Sequence, residues 1–134
     1  LRILFGDRAV LRAIHFFDDN KRAVEEKDAL ESGDFDKFLE LVNQCGRSSF
    51  MKLQNVYSSA NVAEQGLTLA LAISEKVLGN RGACRVHGGG FGGTIQAFVP
   101  NDLLDEYKTA IERVFGEGNC YVLNIRPVGG IKIS

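Results

Sequence analysis

The chain has no tryptophan, one methionine, two prolines and three cysteines among its 134 residues. Each shortage removes a class of protein. Pro100 and Pro127 both fall at expected element boundaries, which excludes a proline-rich linker or arm. Cys45, Cys84 and Cys120 are odd in number and widely spaced, with no Cys-x-x-Cys. A disulfide scaffold is therefore excluded, and three reduced, mostly buried thiols in a cytosolic protein are expected. His15 and His87 do not join them at any zinc spacing. No apolar run approaches the ~18 residues of a membrane span, and no signal-peptide pattern is visible. A cytoplasmic location is the expectation.

Charge of one sign is lacking as well. Sixteen basic and seventeen acidic residues leave a formal charge of −1. The nearest thing to a basic cluster, Lys21 and Arg22, is flanked by Asp18, Asp19, Glu25 and Glu26. Neither nucleic acid nor a membrane surface is an expected partner. What remains is a soluble globular composition of one-domain length, by the prior of roughly 100–200 residues per domain. The chain opens at Leu1 rather than at a methionine, which suits a piece of something longer.

Hydrophobic periodicity predicts four helices. The first runs from about Ala9 to Glu31, with Val10, Ile14, Phe17 and Val24 on an apolar stripe and Ser32-Gly33 as the stop. Asp34 is a ready N-cap for the second, which carries Phe35, Phe38, Leu39 and Val42 and is closed by Gly46. Residues 47–60 are irregular, with a short strand over Leu53–Tyr57 as the expectation. Asn61 opens a third helix, with Glu64 placed to reach back to the cap and Leu67, Ala70, Leu71, Ile73 and Val77 inside. Residues Ala83–His87 and Thr94–Val99 form a hairpin around Gly88–Gly93. A fourth helix follows Pro100, with Leu104, Tyr107, Ile111 and Val114 on one face. Strands over Cys120–Ile125 and around Ile131 and Ile133 close the chain. From about Leu53 the order is (β)αββαβ, an α+β layer fold with helices on one face of an antiparallel sheet.

Five glycines among the six residues Gly88–Gly93 stand far above the usual content of about 7%. Such a backbone is unshielded and takes positive φ freely, so it can bind an anion or let another backbone approach. Gly88, Gly90 and Gly93 match G-x-G-x-x-G, but a strand follows where a dinucleotide fingerprint needs a helix. No Gly-Lys-Ser/Thr is present, which removes the Walker loop, and the protein-kinase companions are missing. Phe91, the one large side chain in the loop, is the expected anchor against a neighbour. Among the other polar residues, His15 reads as a hydrogen-bonded packing residue and Asp18-Asp19 as a solvated face.

Arg85-Val86-His87-Gly88-Gly89-Gly90-Phe91-Gly92-Gly93-Thr94 and the apolar strand after it resemble the third motif of the GHMP small-molecule kinases, in the form seen in the galactokinase family. Upstream, Arg12, His15, Asn20 and Arg22 are similar to that family's helix motif, with Asp19 where Glu is usual. Ser32-Gly33-Asp34 with Phe38 and Leu41 is similar to its helical hairpin. His87 and Thr94 stand where the family commonly has Thr and Cys. The likeness covers nearly the whole chain as the family's C-terminal domain.

The resemblance implies a ferredoxin-like plait over 51–134 with an added helical hairpin over 1–50. It implies a parent kinase that moves the γ-phosphate of Mg-ATP onto the anomeric hydroxyl of galactose, in a cleft between this domain and an N-terminal catalytic domain. Gly88, Gly89, Gly90, Phe91, Gly92 and Gly93 would lie next to the phosphate-binding site, and His87 and Tyr57 near the sugar. No catalytic residue and no metal ligand is expected here, so this chain alone would be inactive and hold no cofactor. Alternatives are another GHMP kinase acting on a different small alcohol, a non-catalytic sugar- and ATP-binding sensor, and a free ferredoxin-like interaction module.

Overall fold

A computed structural model describes residues 1–125. The element order is α1 (Arg2–Phe5), α2 (Asp7–Glu31), α3 (Phe35–Ser48), a π-helical turn (Ser49–Leu53), α4 (Gly66–Leu78), β1 (Ala83–His87), β2 (Thr94–Phe98), a 3-10 turn (Asn101–Leu103) and α5 (Leu104–Phe115). Over the described residues the protein is α+β, with five helices and a two-stranded antiparallel sheet.

Local chemistry fixes the helical hairpin. Gly33 at φ +73° turns the chain out of α2, and the Asp34 side chain accepts the Lys37 N–H at 3.0 Å to start α3. Helix α3 then packs between α2 and β1. Its Asn43 amide donates to the Gly82 carbonyl at 3.2 Å and accepts the Cys84 N–H at 3.1 Å, so one side chain serves as the strand partner at the start of β1. Phe38 meets Phe98 of β2 edge to face, with ring centroids 5.1 Å apart.

The main core lies where α4 and α5 cover the sheet. Leu78, Cys84, Tyr107 and Ile111 form its centre, with Leu71, Val77, Ala97 and Phe115 around them. One polar chain runs through it. The Tyr107 hydroxyl lies 2.8 Å from Ser74 Oγ, which itself donates to the Ala70 carbonyl at 2.7 Å. Burial pushes the Cys84 thiol up to about 11, as suits a packing residue rather than a nucleophile. All three cysteines are free, two of them buried.

Five expectations from the sequence are corrected. First, the stripe Val10, Ile14, Phe17, Val24 does not face the core: Ile14, Phe17 and Val24 are exposed, and the inward face of α2 carries His15, Arg22 and Ala29 instead. The surfaces opposite it, from α3 and the π-helical turn, are polar there. Second, Gly46 does not end α3, which continues to Ser48. A Cβ at Gly46 would sit 2.8 Å from the Cys84 carbonyl oxygen, so this glycine lets helix and strand touch.

Third, Leu53–Tyr57 is not a strand. The chain leaves the π-helical turn through Gln54 at φ +56°, in the left-handed region. Fourth, α4 begins at Gly66 rather than at Asn61, whose side chain accepts the Ala63 N–H at 3.1 Å in a tight turn of its own. Fifth, Cys120–Ile125 is not a strand, and Tyr121, Leu123 and Ile125 are exposed. Strand-like alternation forms a strand only where a ladder partner is at hand. The expected strand around Ile131 and Ile133 lies outside the described residues.

Candidate functional site

The glycine hairpin is built as the sequence reading requires, with His87 opposite Thr94 as the last pair of the β1–β2 ladder. Gly88 (φ +72°), Gly90 (φ +78°) and Gly92 (φ +118°) all occupy backbone conformations that side chains resist. Phe91 does so too, at φ +54°, which costs of order 1–3 kcal/mol for a residue with a Cβ.

Phe91 is not a side-chain anchor. The residue is 53% exposed, and what holds it within this chain is its backbone. The Phe91 N–H donates to the Asn55 carbonyl at 2.7 Å, and Asn55 Nδ2 donates to the Gly89 carbonyl at 3.2 Å. Between them Gly90 comes so close that a Cβ there would overlap the Asn55 carbonyl. The loop is thus seated on the segment that leaves the π-helical turn.

The two rim residues of the expected site stand on the two segments that the seat joins. Tyr57 lies two residues beyond Asn55, half-exposed, its ring 5.6 Å from that of Phe50. His87 is exposed at the root of the loop. Asn55 itself is the residue that sequence reasoning missed. Its available signal was Gln54-Asn55, a polar pair that interrupts the apolar alternation and favours a turn.

The remaining motif residues form a second cluster along α2. His15 is buried with its Nδ1 3.0 Å from Ser48 Oγ, in keeping with a packing role. Arg12 Nε donates to the Leu53 carbonyl at 3.3 Å, so α2 also holds the end of the π-helical turn. Asp18 and Asp19 are not an idle solvated face. Asp18 pairs with Lys52 at 2.6 Å and Asp19 with Arg22 at 3.1 Å. The Lys52 hydrogen bond holds the Asp18 carboxyl below its usual range. Burial works to raise Asp19, but hydrogen bonds from Cys45 and Arg22 outweigh it and leave its carboxyl lowered. Cys45 in turn lies 3.0 Å from Arg85 Nη1, which ties this cluster to β1.

Burial lowers the His15 pKa below its ordinary 6.5, with Arg22 and Lys52 adding to the effect and Asp18 and Asp19 opposing it. The unfolded chain then binds the proton more readily than the folded one, so stability rises with pH. The His15 contribution is fully present above about 6.5 and is lost as pH falls through the lowered folded value. Thermal unfolding between pH 7.5 and 5 should show wild type losing stability more steeply than His15→Gln. Equal slopes would contradict a neutral, buried ring.

Among the described residues no three His, Cys, Asp or Glu side chains converge as metal ligands, and no helix is long and apolar enough to cross a membrane. No family model and no solved structure matches the chain.

Proposed function

We propose that the chain is the C-terminal domain of a galactokinase and forms one wall of a cleft in which Mg-ATP phosphorylates the anomeric hydroxyl of galactose. One observation carries the reading: the glycine hairpin Arg85–Thr94, resembling the third GHMP motif, holds a preset left-handed loop between two strands. The order α4–β1–β2–α5 supports the ferredoxin-like plait through its αββα centre.

In this reading the division of labour follows from what phosphoryl transfer needs, which is positioning and neutralisation of charge. This chain supplies backbone dipoles from Gly88–Gly93 and the rim residues His87 and Tyr57. A bound metal would neutralise phosphate charge, and the resemblance assigns the catalytic carboxylate, the arginine and the ATP-cradling loop to the N-terminal domain. An apolar groove of about 530 Å³, lined by Leu1, Phe5, Val10, Ile14 and Phe17 among others, favours a domain that works against a partner surface.

Calorimetric titration of galactose and of Mg-ATP into this chain tests the division. Neither ligand is expected to bind at micromolar concentration. Micromolar binding of either would place a complete site within this domain and overturn the shared-cleft reading.

A further inference from the structure

Three contacts converge on Asn55. Its carbonyl accepts from Phe91, its Nδ2 donates to the Gly89 carbonyl, and Gly90 has no room for a Cβ against it. Asn55 is only 3% exposed, and its Oδ1 finds no donor among the described residues. A buried amide with an unmet acceptor is a poor packing residue, and an apolar one would fill the space at lower cost. Reversing the amide would set two acceptors against each other at Gly89, so the loop fixes its orientation. Consecutive positive φ values at Gly90, Phe91 and Gly92 describe a backbone that persists only when held from outside.

From these contacts we infer that Asn55 is the positioning residue of the glycine loop, setting the shape of Gly88–Gly93 before any ligand or second domain arrives. That this shape serves a nucleotide cleft rests on the kinase reading; the clamp itself rests on geometry alone. Asn55 acts from beneath the loop, where it is buried away from solvent. It makes the loop a preorganised wall, so binding need not order it.

Amide hydrogen exchange on this chain tests the clamp. The Phe91 N–H should be protected in wild type and in Gly89→Ala, where an added Cβ meets nothing within 4 Å. It should exchange at least roughly tenfold faster in Asn55→Asp, which removes the Nδ2–Gly89 bond that keeps the loop seated on the unchanged Asn55 carbonyl, and in Gly90→Ala, whose Cβ pushes the loop off that carbonyl. The β1–β2 ladder amides report in each variant that the fold persists. Unchanged Phe91 protection in Asn55→Asp, with the ladder intact, would overturn the inference.

In the intact protein that contains this segment, Asn55→Asp should raise the KM for ATP roughly tenfold and leave the KM for the sugar unchanged. An equal rise in both would mark a merely structural role and overturn the positioning one. If intact wild type transfers no phosphate while the exchange pattern holds, the kinase reading fails and the clamp stands.

Discussion

Leu41→Ala is expected to lower stability by about 2–5 kcal/mol, the range for emptying a leucine-sized space in a core. Leu41 is 1% exposed, in the middle of α3. Both neighbours of that helix are held at a set distance from it: α2 by the Gly33–Asp34 turn, and β1 by the two hydrogen bonds of Asn43. Neither can move in to fill the space, so the upper half of the range is favoured. In thermal denaturation the midpoint should fall by roughly 12–18 °C. Phe35→Ala, on the same helix but 64% exposed, should change stability by less than about 0.5 kcal/mol. A Leu41 variant within 1 kcal/mol of wild type would mean that α3 is not wedged between α2 and β1.

Gly46→Ala has an expected sign that separates two explanations of the same residue. As a mere weak point inside α3, Gly46 should respond to alanine with a gain of up to about 1 kcal/mol, the helix-propensity difference. As the point of contact with β1, it should respond with a loss, because the new Cβ meets the Cys84 carbonyl at 2.8 Å and the Arg85 Cβ at 3.3 Å. Both obstacles are anchored to the strand rather than being flexible ends. Overpacking of this kind costs about 1–3 kcal/mol, which outweighs the propensity gain. Chemical denaturation of the single variant, read at its midpoint, decides the sign.

These two residues also show what the sequence could reveal. Structure governed by neighbours in the chain was legible: Asp34 caps α3, Gly33 ends α2, and His87 faces Thr94 across a glycine turn. Periodicity found α3 and α5, where Val42, Tyr107 and Ile111 are buried as expected, although Phe35 and Val114 on the same expected faces are exposed. It misread α2, because which face of that helix turns inward depends on what α3 presents. Ser48 and Cys45 make a polar seat, so His15 and Arg22 go in and Ile14, Phe17 and Val24 stay out. Gly46 was misread for the same reason, since a close approach across 38 positions leaves no local trace.

For the candidate site, the loop was legible and its support was not. The glycine run located the hairpin, but Asn55 is 34 residues from Gly89, and nothing in its neighbourhood announces a clamp. Phe91 drew attention as the only large side chain in the loop, yet its backbone N–H is the group that is held. Segments 53–57 and 120–125 read as strands because their residues suit a pleated surface. That suitability says nothing about whether an edge is available to pair with.

The proposed function is that this domain supplies one wall of a sugar-kinase cleft whose other wall belongs to a second domain. The most direct measurement compares ATP-dependent phosphate transfer to galactose by the intact protein that contains this segment and by this chain alone. The expected result is galactose phosphorylated at its anomeric oxygen by the intact protein and none by the chain. An intact protein that binds both ligands without transferring phosphate, or a chain that is active alone, would contradict it.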